Sequence, residues 1–116
     1  MKLSFVNSDE LLGMASEMEL YKKLIAQLNK DLKLANLDEE FSPDVSAGKL
    51  KRDLHEVIFL LINEKFSDYL NLLYIVDVSE AQVKTLDGTD VVKLAEEVAF
   101  LILKREWQKV WFRAKH

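Results

Sequence analysis

The densest chemistry in this chain lies in its last fourteen residues, LKREWQKVWFRAKH. Trp107, Trp111 and Phe112 alternate there with Lys104, Arg105, Lys109, Arg113 and Lys115. Trp and Arg are the residues most enriched where protein interfaces concentrate their binding energy. Cations beside aromatic rings also suit single-stranded nucleic acid or an anionic membrane surface. The candidate partner-binding residues are therefore Trp107, Trp111, Phe112, Lys109 and Arg113. A second reading fits the same spacing. Phe100, Leu103, Trp107, Val110, Trp111 and Ala114 fall three or four apart, which is one stripe of a helix facing a core. Residues 104–116 hold five basic residues and one acid in a chain of net charge −4, so the remainder is strongly acidic. That remainder opposes phosphate binding at long range.

Other constellations fall short of a reaction. The histidines are His55 and His116. His55-Glu56 begins like the zinc motif H-E-x-x-H, but Phe59 stands where the second ligand belongs. Arg52, three residues before His55, also breaks the Glu-x-x-His pattern of di-metal bundles. No serine sits in G-x-S-x-G, and Gly13, Gly48 and Gly88 are too scattered to cradle a phosphate. Glu64 with Asp68, and Glu96 with Glu97, are carboxylate pairs, but the helical wheel puts Glu64 and Asp68 on a polar face. A catalytic pair needs a buried cleft to split its pKa values. The chain has no Cys, hence no thiolate site and no disulfide. The expectation is a protein without catalytic residues, metal or cofactor.

The elements that position these residues are helices. Three Gly and one Pro in 116 residues compare with about 12% in average usage, too few turn formers for a sandwich or barrel. The segment 50–76 is apolar at three- and four-residue steps and widens to an unbroken run at 57–62, which predicts a long central helix. A first helix is expected from near Ser8 to about Ala35. Asn7 and Glu10 form its capping box, and Val6 and Leu11 a hydrophobic staple. Leu11, Ala15, Ile25, Leu28 and Leu32 mark its core face, and Lys22, Gln27, Lys30 and Asp31 its polar face. Residues 36–44 form a loop from which Phe41 reaches the core. The next helix starts at Ser42-Pro43-Asp44 or, alternatively, at Ser46. Ser79 with Gln82 is a capping box for a short helix over 80–86. A last helix runs from Thr89 or Asp90 to Ala114. Its apolar run 98–103 is expected against 57–62. Arg105 lies on the apolar face and needs an acid, with Asp77 or Glu80 in reach.

Short connections make consecutive helices antiparallel. The expected fold is all-α, an up-down bundle of three long helices plus one short connecting helix, in a single domain over 1–116. No apolar run approaches the 18 or so residues of a membrane span, and the N-terminus turns polar too early for a signal peptide. A cytoplasmic location is expected.

The stretch Leu72-Leu73-Tyr74-Ile75-Val76-Asp77-Val78-Ser79-Glu80, followed by Leu103-Lys104-Arg105-Glu106-Trp107-Gln108-Lys109-Val110, joins an aliphatic-Tyr helix end, an acidic corner and an Arg-Glu-aromatic-Gln-Lys helix. Over roughly the second half of the chain it resembles small uncharacterised bacterial all-helical proteins. The resemblance implies a helical fold and brings no activity and no functional residue with it. The functional expectation is a non-enzymatic domain that binds protein, itself included as a homodimer. The alternative is binding of nucleic acid or an anionic surface through the basic-aromatic last helix.

Overall fold

In a computed structural model that describes residues 4–115, every regular element is a helix. Where one helix from Ser8 to Ala35 is expected there are two, α1 (Ser8–Glu17) and α2 (Tyr21–Leu34). The chain leaves α1 through a Schellman turn. Leu20 N–H donates to the Ala15 carbonyl at 2.9 Å, and Glu19 N–H to the Ser16 carbonyl at 3.1 Å. Such a turn needs a left-handed residue after the cap, and Glu19 supplies it with φ 58°. A side chain there costs about 1–2 kcal/mol, so Glu is a poor advertisement for a helix stop. Glu19→Gly should raise stability by about 1 kcal/mol in urea denaturation. A loss instead would mean that the Glu19 side chain does more for the fold than its backbone strain costs.

The segment 50–76 also divides, into α3 (Ala47–Glu64) and α4 (Phe66–Val76), at Lys65 with φ −141° and ψ 62°. An unbroken helix over 50–76 would run about 40 Å, longer than the molecule's long dimension of 36 Å. The break lets α4 pack on α2 and α6 as well as α3. The apolar stripe passes through it in phase: Leu50, Leu54, Ile58 and Leu61 are buried before it, and Tyr69, Leu72, Leu73 and Val76 after it.

The corners of this glycine-poor chain are made by other residues. α2 ends in a second Schellman turn through Asn36 (φ 66°), with Leu37 N–H on the Leu32 carbonyl at 3.0 Å. α4 ends at Asp77 (φ 73°), with Val78 N–H on the Leu73 carbonyl at 3.0 Å. Val78 and Leu73 are both buried, the apolar contact that accompanies this turn. None of the three glycines has a positive φ.

Ser46, not Ser42, opens α3, its Oγ accepting from Lys49 N–H at 3.2 Å. The loop between α2 and α3 is pinned by Asn29. Its Nδ2 donates to the Phe41 carbonyl and its Oδ1 accepts from Phe41 N–H, both at 2.8 Å. Tyr21 OH donates to the Val45 carbonyl at 2.7 Å, and burial raises the pKa of that phenol. Phe41 is buried as expected.

Asn7 caps α1, its Oδ1 accepting from Glu10 N–H at 2.9 Å. The expected staple is absent: Val6 is 80% exposed, and Phe5 is buried instead. α5 (Glu80–Lys84) is shorter than expected, and the Ser79 side chain makes no cap hydrogen bond. α6 (Val91–Lys115) is capped by Asp90, whose Oδ1 accepts from Lys93 N–H at 3.1 Å.

The helix around which the others gather is α6 rather than 50–76. It packs on α1, α2, α3 and α4, most extensively on α3, and its 25 residues span the long dimension. Its run 98–103 is covered on several sides, with no residue in it exposed. The expected facing of this run with 57–62 does not occur. His55 Nε2 meets the Val92 carbonyl at 2.9 Å, and Gly48, Lys51 and His55 border one cleft with Glu96, Ala99 and Leu103. The run 98–103 therefore lies beside the first turns of α3. The buried apolar side chains form one cluster. No helix among the described residues is long and apolar enough to cross a membrane.

Candidate functional site

The second half of α6 carries the candidate residues, and its helical period sends them in different directions. Trp107 is completely buried, and Trp111 is buried beside it with ring centroids 6.4 Å apart and planes at 26°. Phe5 meets the edge of Trp107 at 6.4 Å, and Lys115 Nζ lies 4.5 Å above the Trp111 ring. Both tryptophans are thus core residues of this chain, as the stripe reading has it. Phe112 stays half exposed. His116 lies outside the described residues.

Lys109 turns inward onto α2, and Arg113, itself exposed, reaches across to the same helix. Lys109 Nζ bonds Asp31 Oδ2 at 2.8 Å, and Arg113 donates to Gln27 Oε1 at 2.7 Å. Gln27 in turn donates to Asp31 Oδ1 at 3.3 Å. Gln27 and Asp31, expected on the polar face of the first helix, are buried. Their burial has a direct cause, since Asp31, with Gln27 bonded to it, is the partner that lets Lys109 leave water, while Arg113 reaches Gln27 from an exposed position.

Glu106 completes the cluster with no exposed surface. Lys109 Nζ lies 3.2 Å from its Oε1, but the direction is poor, and neither carboxyl oxygen has a well-formed donor. Burial pushes its pKa up to about 9, helped by the hydrogen bond and charge of Asp31 and opposed by Lys109. Burial acts on Asp31 in the same sense, but the hydrogen bonds from Glu106, Lys109 and Gln27 and the Lys109 charge win, holding it below the usual range. Burial and the neighbouring Asp31 thus favour the neutral form of Glu106, while Asp31 is favoured as the carboxylate. Asp31 and Glu106 are buried between α2 and α6, and the cluster ties the two helices together.

Arg105 is paired as expected. Its guanidinium meets Asp77 Oδ2 at 3.1 Å, across the corner between α4 and α6. Of the five basic residues of the segment, Lys109, Arg113 and Arg105 have partners on α2 or at the end of α4, while Lys104 and Lys115 lie against Phe100 and Trp111.

An outward surface occurs elsewhere, on α4. Its exposed residues are Phe66, Ser67, Leu70, Asn71 and Tyr74, and none is charged in a chain whose residues are 31% charged. Phe66, Leu70 and Tyr74 are four apart and form one ridge, exposed by 54%, 50% and 81%. On another face, a hollow of about 470 Å³ lies between the 39–46 loop and α3, walled by Glu39, Glu40, Asp44 and Asp53. No group of His, Asp or Glu placed to hold a metal occurs among the described residues.

No family model, no curated protein and no solved structure matches this chain. Function therefore rests on the geometry alone. Two features escape a reading of the sequence. Glu106 lies on the buried stripe of Leu103, Trp107 and Val110, a register that could flag it. The α4 ridge merges, in sequence, into the apolar face of one long helix, and nothing there separates Leu70 from Leu73 as the one left outside.

Proposed function

We propose that this chain is a non-enzymatic interaction domain that docks a protein partner on the outer face of α4. The observation that carries this reading is the uncharged ridge Phe66–Leu70–Tyr74. Interface centres are depleted in charge and enriched in Tyr and Phe, and side chains at steps of four form the ridge that packs into the groove of another helix. The set expected to bind a partner from the last helix, Trp107, Trp111, Phe112, Lys109 and Arg113, contributes differently in this reading. The tryptophans and the two cations secure α6 against α2 and the N-terminal segment, and Phe112 is left as a lone exposed ring. The engagement of Lys109, Arg113 and Arg105 inside the chain also favours a protein partner over a phosphate-bearing one.

The test is a titration of the isotope-labelled protein with an 18-residue amphipathic Leu/Lys helical peptide, followed by amide chemical shifts. Shifts are expected at 65–77, with little change at 103–115. Shifts centred on 103–115 would return the interface to the last helix, and none anywhere, in a chain that also stays monomeric, would remove the docking reading.

A further inference from the structure

We infer that the occupant of the α4 face is a second copy of this chain, docked antiparallel about a two-fold axis at Leu70. The inference rests on the docking reading above and supplies its partner. α4 has 11 residues, about 16 Å of helix. Leu70 sits midway between Phe66 and Tyr74, four residues from each. A two-fold axis through Leu70 lays that side chain on its own counterpart and sets Phe66 of each copy on Tyr74 of the other. An isologous interface requires this kind of self-complementary patch.

The charges at the ends of the ridge favour the same arrangement. Glu64 and Lys65 flank its start, and Asp77 with Arg105 flanks its end, the Asp77 side chain still 76% exposed within that ion pair. Antiparallel docking brings Lys65 of one copy to Asp77 of the other, and Glu64 toward Arg105. It also sets each α4 N-terminus beside a C-terminus, which the helix dipoles favour. Parallel docking would instead set like helix ends side by side, which the dipoles disfavour. A single helix face is smaller than a standard interface, so the dimer is expected to form and dissociate with concentration.

The test uses the full chain in light scattering from micromolar to millimolar concentration, with Leu70→Lys, Leu70→Glu and their equimolar mixture. The native mass should rise from 13.4 kDa toward twice that value. Each variant alone should stay monomeric because residue 70 meets its own charge. The mixture should dimerise at least tenfold more tightly than either variant alone. Leu70 is half exposed, so both variants should keep the native circular dichroism and melting. If either does not, Tyr74→Lys, at the most exposed position of the ridge, replaces it and should abolish the dimer. A native chain that stays monomeric throughout overturns the inference, as does a dimer indifferent to charge at residue 70 or a mixture no tighter than its components. The peptide titration separates the two ideas: shifts at α4 in a monomeric chain remove only the second copy as occupant, whereas no shifts and no dimer remove both.

Discussion

Trp107→Ala should cost about 3–5 kcal/mol and lower the melting temperature by roughly 15 °C, the largest loss expected from any single truncation here. The side chain has no exposed surface and is held between Phe5 and Trp111. Its removal leaves a cavity between α6 and the N-terminal segment, against the rings of Phe5 and Trp111. Against a total stability of about 5–15 kcal/mol for a domain, such a loss brings the chain close to unfolding at 37 °C. Trp107→Phe should cost much less, because it keeps most of the ring volume and removes a buried indole N–H that has no acceptor. Thermal melts of the two variants check both statements. Equal losses would show that the indole N–H contributes to the fold despite lacking an acceptor. A small loss in Trp107→Ala would mean that the α6 end is not packed as described.

Glu106→Gln should stabilise the protein at neutral and alkaline pH. The Glu106 carboxyl has its pKa raised to about 9 in the fold, against about 4.3 in an unfolded chain. A raised acid pKa means that the folded state holds a proton which the unfolded state releases. Below about pH 4 both states are protonated and folding carries no penalty. As the pH climbs toward 9 the unfolded state is favoured progressively, and stability falls by about 1 kcal/mol per pH unit. Asp31 acts in the opposite sense, since its folded pKa is depressed. Its contribution is present above the unfolded aspartate pKa and disappears only as the pH falls below it, so it does not distort the window from about 5 to 9. The glutamine side chain keeps the shape of the carboxyl and can donate to Asp31 at every pH, leaving Lys109 paired. Urea denaturation at pH 5, 7 and 9 should therefore show a falling stability for the native chain and a nearly level one for the variant. The gap should widen to a few kcal/mol at pH 9. Parallel profiles would mean that Glu106 is ionised in the fold and that Lys109 alone neutralises it.

Trp107 and Glu106 are neighbours on α6, yet they are legible in the sequence to different degrees. Trp107 belongs to an apolar stripe, and its spacing from Leu103, Val110 and Trp111 is enough to bring it inside. Glu106 shares that stripe's register but reads first as an acid among cations. Its burial depends on Asp31, far earlier in the chain, lying across from it, and no local pattern encodes that approach. Gln27 and Asp31 read as outward-facing for the same reason. Amphipathic reading assumes that polar side chains face water, and a polar pair buried between two helices satisfies itself in a way one helix cannot reveal.

The sequence by itself determined that the chain is helical, through its scarcity of Gly and Pro and the three- and four-residue spacing of its apolar side chains. It also determined the cap at Asn7, the burial of Phe41, and the need of Arg105 for an acid, because each rests on interactions within a few residues or on a choice among few partners; between Ser42 and Ser46, and between Thr89 and Asp90, the structure chose. The tertiary structure alone decided where the two long apolar segments break. Glu19 accepts a left-handed backbone and Lys65 a non-helical one because the helix beyond each break gains more by packing on α6 than a straight helix would gain by continuing. That choice made α6 the centre, sealed the tryptophans inside, and left the uncharged face of α4 to the outside. Packing energy summed over several helices outweighs the propensity of any one residue, and that sum is invisible until the helices meet.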